Sequence, residues 1–384
     1  MPLKVFLTTP PLVKIVEPIY DKPSFVRNSL ASLAGYLRFS TDAIISCCDA
    51  KFQKKYRSAL LQDIIDFNPD ILGISAFTYE IDDAGKLAED VKLFNKNCIV
   101  IVGGSHVSAI PEKTLNEFAY FDIGVIGEAE LTLYDIYNCF NNGLDLHNIL
   151  GIVFRNSSGD VLCTPKREKI KDLDIIQIPA WDLLPKAKEY YIQTTRGCPF
   201  NCNFCFNPNG HSVRKRSVKN IIGEMKWLIL NMKPVRISLG DEAFGADHEF
   251  AHELLDEMIR CNIGAQVKWD IQTHVSLLDE ALVVKMKKAN VRKIEMGVES
   301  GNEEILINMG KGVTSGKIEK AFSLVKNHKI PTGAFLIFGH PYETKETIKE
   351  SMVVLTITTL YNEAMCNSGL IHLSRYGSSA SVMQ

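Results

Sequence analysis

Three cysteines in one short segment are the residues of this chain best suited to chemistry. Cys198, Cys202 and Cys205 are spaced as Cys-x-x-x-Cys-x-x-Cys and follow directly after the predicted strand 190–194. Thiolates this close in sequence can bind one iron–sulfur cluster, since soft sulfur is the ligand that such clusters take. A cubane cluster normally takes four protein thiolates, and no fourth cysteine lies nearby. One iron would therefore stay open to bind a substrate or a cosubstrate.

The same cysteines could instead form part of a structural zinc site. Such a site needs a fourth ligand, which usually comes from a second pair of ligands. His211 lies six residues after Cys205 and could supply it, so the spacing alone leaves zinc open. The residues around the cysteines are more restrictive than the spacing. From Gly197 onward they are Gly-Cys-Pro-Phe-Asn-Cys-Asn-Phe-Cys.

This segment, with the aromatic Phe204 before the last cysteine, resembles the cluster-binding loop of the radical S-adenosylmethionine (SAM) enzymes. The resemblance implies a 4Fe-4S cluster whose open iron binds the amino and carboxylate groups of SAM. One electron then cleaves SAM to methionine and a 5′-deoxyadenosyl radical. The implied partners are a small-molecule substrate and an electron donor such as flavodoxin or ferredoxin.

Two further turns resemble SAM-binding turns of the same superfamily. Gly240-Asp241-Glu242 stands where the family has a Gly-Gly-Glu motif whose carboxylate holds the amino group of SAM. Paired carboxylates at a strand end suit an ammonium group, although such a turn could also cap the next helix. Glu299-Ser300 lies in a Gly-x-Glu-Ser-Gly turn, which in the family lies near the ribose or carboxylate of SAM. Its alternative is a helix start capped by Ser300.

Strand and helix patterns alternate through the first 140 or so residues. The predicted strands are 4–8, 43–48, 71–75, 98–102 and 123–126. Continuous Ile, Val and Leu runs bounded by Gly and Ser are typical of parallel strands that are covered on both faces. The pattern predicts a doubly wound, Rossmann-like α/β sheet, which binds ligands at the carboxyl ends of its strands.

The turns at these strand ends resemble the cobalamin-binding-type domain that precedes many radical SAM domains. The matching segments are 102–112 and 126–130, where Ala129 replaces a glycine of the family pattern. The resemblance implies cobalamin as a further cofactor. It places the cobalamin contacts at Ser75, Gly103, Gly104, Gly127 and Glu128.

One cobalamin motif is missing from the chain. Methionine-synthase-like domains carry Asp-x-His-x-x-Gly, whose histidine becomes the lower ligand of cobalt. The corresponding segment here is Asp49-Ala-Lys-Phe-Gln-Lys54, which contains no histidine. Cobalamin would then bind without a histidine ligand, or the domain has lost cobalamin.

A second series of strand and helix patterns starts near residue 186. Its predicted strands are 190–194, 235–239, 266–271, 292–297, 332–338 and 370–373. A complete eight-fold barrel takes about 250 residues, and fewer remain here. The pattern therefore predicts a partial (β/α)6 TIM-like barrel. The predicted domains are 1–140 (cobalamin-binding-like), 141–185 (a connector) and 186–384 (radical SAM).

Composition and charge exclude several classes of function. The net charge of −2 over 384 residues gives no sign of a nucleic-acid-binding surface. The sequence predicts neither a signal peptide nor a membrane span. The remaining cysteines are scattered and read as small buried apolar residues: Cys47, Cys48, Cys98, Cys139, Cys163, Cys261 and Cys366. Free thiols and an oxygen-sensitive cluster fit the reducing cytoplasm.

The sequence thus predicts a cobalamin-type radical SAM enzyme for methyl transfer, cyclisation or rearrangement, with no catalytic residue assigned beyond the cluster site. The alternative is a truncated or non-catalytic protein whose cluster is structural or redox-sensing. It rests on the last residues, which are rich in Ser, Gly and Ala and show no covering helix. We therefore expect Asn367–Gln384 to be the least ordered part of the barrel. His248 and His252 are interpreted as a solvated helix face.

Overall fold

The computed structural model describes residues 2–12, 23–359 and 373–375. The protein divides into two compact units, Met1–Tyr191 and Ile192–Gln384. None of the described helices combines the length and apolar content that crossing a membrane requires. The segment Asn367–Gln384, which we expect to be weakly ordered, lies outside the described residues except for the strand Leu373–Arg375.

A seven-stranded sheet organises the first unit. Its strands are β1 (Lys4–Thr8), β2 (Ile44–Cys48), β3 (Ile71–Ser75), β4 (Ile99–Gly103), β5 (Ile123–Val125), β6 (Ile152–Arg155) and β7 (Val161–Cys163). They lie in the order β2-β1-β3-β4-β5-β6-β7, and the first five run parallel. This is a doubly wound order whose direction reverses beside β1. The predicted α/β fold is therefore confirmed, and the five predicted strands agree to within one residue at each end.

An antiparallel hairpin extends the sheet beyond these five strands. β5 pairs with β6 and β6 pairs with β7, both antiparallel. In the turn between β6 and β7, the backbone N–H of Gly159 donates to the carbonyl oxygen of Asn156 (3.0 Å). The sequence analysis predicts no strand here, because runs of three or four residues are too short to show a two-residue period.

Six helices alternate with the strands of the first unit. They are α1 (Asn28–Ser40), α2 (Arg57–Phe67), α3 (Ile81–Phe94), α4 (Ser105–Ala109), α5 (Pro111–Glu117) and α6 (Glu130–Asn142). Their apolar residues pack with those of the sheet, and Leu60, Leu87, Val100 and Leu115 are all fully buried. This packing holds the carboxyl ends of the parallel strands in fixed positions.

A six-stranded sheet organises the second unit. Its strands are β8 (Glu189–Ile192), β11 (Arg236–Leu239), β12 (Lys268–His274), β13 (Lys293–Glu299), β14 (Thr332–Phe338) and β15 (Leu373–Arg375), and they lie side by side in this order. The pairs from β11 to β15 are parallel. Neighbouring strands that follow chain order are what a (β/α)6 barrel requires, so the predicted architecture is confirmed.

Seven helices follow the strands of the second unit within the described residues. They are α7 (Val218–Asn231), α8 (His248–Arg260), α9 (Ile263–Gln266), α10 (Glu280–Lys288), α11 (Glu303–Asn308), α12 (Ser315–Asn327) and α13 (Lys345–Thr359). Two short strands outside the main sheet, β9 (Thr195–Arg196) and β10 (Arg214–Lys215), pair antiparallel. The sequence predicts neither of them, since two residues carry no periodic pattern.

Candidate functional site

The predicted cluster cysteines lie in a loop whose two ends are joined by the β9–β10 pair. Inside the loop, the backbone N–H of Cys198 donates to the carbonyl oxygen of Gly210 (3.0 Å). The side-chain amide of Asn207 donates to the carbonyl oxygens of Cys198 (3.2 Å) and Gly210 (2.9 Å). The loop therefore has hydrogen bonds of its own that hold Cys198 in place.

The three thiols lie close enough together to interact electrostatically. Cys198 and Cys202 are partly buried, and Cys205 is exposed. Burial raises the pKa of the Cys202 thiol, and the positive charge of Lys311 acts in the opposite direction. Burial also raises the pKa of Cys205, and the charges of Cys198 and Cys202 raise it further.

Among the described residues, the three cysteines belong to no compact group of possible metal ligands. A tetrahedral zinc site with bonds of about 2.3 Å needs sulfurs roughly 3.8 Å apart. In the described part of the chain, only His248, His252 and Asp279 form a group of possible ligands within 4.8 Å of one another. His211, the possible zinc ligand, is exposed.

The histidine pair of helix α8 is joined by a carboxylate that the sequence did not predict. The rings of His248 and His252 have centroids 4.5 Å apart. Asp279 places a carboxylate oxygen 2.8 Å from Nε2 of His248, and its side chain also accepts from the backbone N–H of Leu282 as the N-cap of α10. His248 and Asp279 are exposed, which agrees with the interpretation as a solvated helix face.

The second half of the cysteine loop is fastened to helix α11. The backbone N–H of Asn203 donates to the carbonyl oxygen of Met309 (3.0 Å), and its side-chain amide donates to that of Asn308. Phe204 packs against Ile305, Met309 and Ile337. Phe204 therefore anchors the loop through apolar contact, which fixes the residues on either side of it.

The first half of the loop contacts a histidine at the end of β12. The rings of Phe200 and His274 are stacked, with centroids 3.7 Å apart and planes 20° from parallel. Burial, together with the charge of Lys311, lowers the pKa of His274 to about 4. His274 is therefore neutral at pH 7, and its Nδ1 lies 2.7 Å from the hydroxyl of Ser276.

Asp241 joins the end of β11 to the start of the cysteine loop. Its carboxylate accepts hydrogen bonds from the backbone N–H groups of Thr194 (2.7 Å) and Thr195 (2.8 Å) and from the hydroxyl of Thr194. The side chain is buried, and burial raises its pKa to about 6. Asp241 thus supports the loop from inside the protein, and its part in SAM binding stays a prediction.

Glu242, the next residue, is exposed at the base of the same loop. Its carboxylate accepts hydrogen bonds from the backbone N–H of Gly197 (3.3 Å) and from the side-chain amide of Asn209. The following helix α8 is capped by Asp247, which accepts from the backbone N–H of Phe250. The acidic turn Gly240-Asp241-Glu242 is therefore not the cap of that helix.

The Glu299-Ser300 turn combines a backbone irregularity with a buried ion pair. The register between β13 and β14 shifts between Gly297 and Glu299, and Glu299 has a φ of 66°. A non-glycine residue in this region is strained, and strained residues are enriched at active sites and ligand clamps. Six other described non-glycine residues of this chain also have positive φ, so the register shift beside it is what distinguishes Glu299. The cap of α11 is Asn302. Ser300 is instead buried, with its hydroxyl 3.2 Å from that of Ser351.

The predicted cobalamin contacts of the first unit lie at the carboxyl edge of its sheet. Ser75 ends β3, Gly103 ends β4, and Gly127-Glu128 follows β5. No atom lies within 4 Å of where a Cβ on Gly127 would stand, so this turn leaves room for a ligand. At Gly104 a Cβ would overlap the carbonyl oxygen of Ala76. That glycine is therefore required by the protein's own backbone.

The segment that lacks the cobalt-binding histidine is a turn built around Asp49. Its carboxylate accepts from the backbone N–H groups of Arg27 (2.7 Å) and Phe52 (3.2 Å). Lys51 of this turn forms an ion pair with the buried Glu80 (3.1 Å). The turn thus presents no nitrogen ligand of the imidazole type, whereas the turn at Gly127 leaves open space at the same edge of the sheet.

Two residues beside the cysteine loop are assigned no role from the sequence, Lys311 and His274. Lys311 is buried, and its ammonium group lies 2.9 Å from a carboxylate oxygen of Glu299. One signal for it was available, because it is the cation between two glycines, Gly310 and Gly312, shortly after the Glu299 turn. His274 stands alone in the sequence, and only the fold reveals its contact with Phe200.

Two family models match the chain. The radical SAM superfamily model matches residues 192–355, and the B12 binding domain model matches residues 26–136. The first of these ranges contains the cysteine loop and the acidic turns. The second contains the glycine turns at the carboxyl edge of the first sheet.

Relatives match over most of the chain. An uncharacterized methyltransferase of Pyrococcus horikoshii is 30% identical over 360 residues, which are 91% of this chain and 77% of that protein. The anaerobic magnesium-protoporphyrin IX monomethyl ester cyclase of Rubrivivax gelatinosus is 29% identical over 337 residues, and this chain spans 60% of its length. The structure of the radical SAM methyltransferase TsrM from Kitasatospora setae has a similar fold, with a TM-score of 0.77 at 18% identity, covering 92% of this chain and 71% of that one.

Proposed function

This chain belongs to the radical SAM enzymes that carry a B12-binding domain, and on that premise we propose that it catalyses radical methyl transfer to a small-molecule substrate. Its cofactors are a 4Fe-4S cluster, SAM and cobalamin. When bound, the cluster supplies one electron for the cleavage of SAM, and cobalamin supplies a methyl group. The electron comes from a donor of the flavodoxin or ferredoxin type.

The observation that carries this proposal is the shaped cysteine loop with an exposed carboxylate at its base. Cys198, Cys202 and Cys205 would hold three irons and leave the fourth open. Glu242 would accept the ammonium group of SAM, because its oxygens are oriented by the backbone N–H of Gly197 and are exposed. Asp241 would keep the strand end and the loop in register beneath it.

The turn after β13 would complete the SAM site. Glu299 is held by Lys311 in a buried ion pair, and its strained backbone aims the turn away from the regular strand direction. Ser300 follows it and would lie beside the ribose or the carboxylate of SAM. These roles rest on the position of the turn at a carboxyl strand end, which is where barrels of this type bind their ligands.

The carboxyl edge of the first sheet would hold the corrinoid. Gly127 leaves space after β5, Gly103 ends the neighbouring strand β4, and Ser75 and Glu128 flank these two glycines along the chain. Gly104 would contribute by shaping the turn. With no histidine in the turn around Asp49, the cobalt of bound cobalamin should carry no nitrogen ligand from that segment. The spectrum of cobalt(II) would report such a ligand as a nitrogen splitting.

The relatives favour methyl transfer over cyclisation as the reaction of this chain. The Pyrococcus horikoshii protein, of which this chain spans 77%, is named a methyltransferase. The Rubrivivax gelatinosus protein is named a cyclase, and this chain spans only 60% of it. The two branches leave different products. Methyl transfer consumes SAM to S-adenosylhomocysteine in addition to 5′-deoxyadenosine, whereas oxidative cyclisation leaves 5′-deoxyadenosine alone.

The test is to reconstitute the protein anaerobically with iron, sulfide and hydroxocobalamin, reduce it, add SAM and quantify both nucleosides. We expect 5′-deoxyadenosine together with S-adenosylhomocysteine. 5′-Deoxyadenosine alone would favour cyclisation or rearrangement. Neither product, in protein with a full cluster, would establish the non-catalytic alternative.

Glu242→Gln tests the SAM site directly. We expect SAM to bind about tenfold more weakly, because a carboxylate–ammonium contact contributes more than a neutral hydrogen bond, while the cluster content stays the same. Glu249→Gln, an exposed glutamate at the start of α8, is the matched control. Unchanged SAM affinity in Glu242→Gln would remove this residue from the site.

A further inference from the structure

Lys311 and Glu299 form a buried ion pair for which the roles assigned so far give no sufficient reason. Their side chains are only 6% and 9% exposed, and the ammonium and carboxylate groups are 2.9 Å apart. Withdrawing two charges from water costs several kcal/mol per ion, so such a pair adds little to stability over apolar residues of the same size. Its presence beside a redox-active loop calls for an electrostatic explanation.

The turn that carries Lys311 is hydrogen-bonded to the cysteine loop just after Cys202 and lies close to it just before. The backbone N–H of Asn203 donates to the carbonyl oxygen of Met309 (3.0 Å). A Cβ on Gly310 would stand 3.3 Å from the carbonyl oxygen of Asn201. Cys202 therefore lies between Asn203, which is hydrogen-bonded to Met309, and Asn201, whose carbonyl oxygen lies near Gly310. Lys311 is the next residue of the chain.

The end of strand β13 also leaves space for the ammonium group of Lys311. A Cβ on Gly297 would stand 2.8 Å from Nζ of Lys311 and 2.6 Å from the carboxylate oxygen of Glu299, so the pair occupies the space that this glycine leaves. His274, at the end of the neighbouring strand, is neutral and stacks on Phe200. Lys311 and Glu299 are also the two charged side chains, other than Cys198, whose charges act on the Cys202 thiol.

We propose that Lys311 is a positioning residue that sets the reduction potential of the cluster from the Cys202 side, with Glu299 holding its ammonium group in place. The inference rests on the proposed function, since it assumes that the three cysteines bind a cluster. Reduction adds one negative charge to the cluster. A cation close by in a water-poor environment stabilises the reduced state, and the carboxylate paired with that cation opposes it.

The proposal predicts that two variants shift the midpoint potential of the cluster in opposite directions. A purely structural role of the ion pair would not predict opposite shifts. Lys311→Met removes the cation and should shift the midpoint potential of the cluster to more negative values. Glu299→Gln keeps a hydrogen-bond acceptor for Lys311 and removes the opposing charge, so it should shift the potential to more positive values. Lys311→Arg keeps the charge and should restore a potential near that of the wild type.

The matched control is Glu295→Gln on the same strand. Glu295 pairs with Lys293 at 2.7 Å, and four residues of strand place it about 13 Å along β13 from Glu299. Its replacement should leave the potential unchanged. The comparison therefore separates a charge near the loop from any charge on β13.

The experiment is a spectroelectrochemical titration of the reconstituted holoprotein, without SAM, with iron and sulfide content determined for each variant. Opposite shifts in Lys311→Met and Glu299→Gln would support the proposal, even in a protein that fails to cleave SAM. If Lys311→Met loses its cluster, Glu299→Gln decides alone. An unchanged or more negative potential in Glu299→Gln at full cluster content would overturn the proposal, whereas absence of any cluster in the wild type would overturn the proposed function itself.

Discussion

The two sheets build their ligand edges in different ways. At the carboxyl edge of the first sheet, the turn at Gly127 leaves open space around the backbone. At the carboxyl edge of the second sheet, buried carboxylates make specific bonds, as Asp241 does to the cysteine loop and Glu299 does to Lys311. On the proposed function, a large corrinoid would be accommodated by space, whereas a compact cluster and a charged cosubstrate would be held by hydrogen bonds and charge. Changes of size should therefore damage the first edge, and changes of charge the second.

Replacing the cysteines should give the largest effect at the second edge. Alanine at Cys198, Cys202 and Cys205 should abolish the visible absorbance of the cluster and the paramagnetic signal of its reduced state, because no other thiolate is offered by the loop. Cys163→Ala and Cys261→Ala, at the exposed and partly buried cysteines elsewhere, are the controls. Loss of the cluster in either control would contradict a site with three thiolates and one open iron.

Valine substitutions at two glycines of the first sheet's carboxyl edge should have different effects, one mainly on stability and the other mainly on cobalamin binding. Gly104→Val should lower the free energy of unfolding by about 3 kcal/mol, because its φ of 124° suits only glycine and its Cβ overlaps Ala76. Gly127→Val should cost about 1–2 kcal/mol through its φ of 81° but weaken cobalamin binding more than tenfold. Urea unfolding and a corrinoid titration measure the two effects.

The expected difference between the two glycines would be contradicted by a Gly104→Val protein that keeps its stability and loses only cobalamin binding. It would equally be contradicted by a Gly127→Val protein that keeps full affinity. Either result would move the corrinoid contact from one glycine turn to the other.

Asp241→Asn should give the smallest of these effects, with a defined pH dependence. The folded-state pKa of Asp241 is raised to about 6 by burial, so the folded protein binds more protons than the unfolded chain between about pH 4 and pH 6. Its contribution to stability is therefore fully present below pH 4 and is lost as pH rises through 6. Asparagine removes this dependence and, having one acceptor oxygen, loses part of the bonding to Thr194 and Thr195.

Denaturant unfolding of the cluster-free protein between pH 5 and pH 7.5 measures this prediction. We expect the variant to be about 1–2 kcal/mol less stable near pH 5, with a difference that shrinks towards pH 7. A difference that grows with pH would show that the hydrogen bonds, which favour the carboxylate, outweigh the effect of burial.

The fold was largely predictable because its strands are continuous apolar runs. β1, β3 and β14 agree with the predicted bounds to the residue, since such runs end sharply at glycine, serine or proline. The hairpin β6–β7 and the pair β9–β10 were missed because two to four residues carry no measurable period. Both elements depend on pairing with a partner strand that local sequence does not identify.

The sequence predicts which residue types form the candidate site, but it does not predict the hydrogen bonds that hold them in place. The spacing of Cys198, Cys202 and Cys205, together with the residues around them, predicts a cluster ligand set within eight residues of chain. The sequence also marks the acidic turn, but it treats Asp241 and Glu242 alike, whereas the structure buries one and exposes the other. Which member of a polar pair turns inward is decided by donors such as Thr194, and these are brought together only by folding.

The chain order of the second sheet has a consequence for how the site is assembled. The six strands of this sheet, β8 and β11 to β15, lie side by side in the order of synthesis. The sheet can therefore grow strand by strand as the chain leaves the ribosome. The cysteine loop emerges directly after the first strand, but Met309 and Lys311, which fasten and face it, emerge about a hundred residues later. At about 5–20 residues per second this is an interval of roughly 5–20 seconds. Cluster delivery before that point would meet thiols without their anchor, so maturation after release of the helix α11 segment is the order that this topology favours.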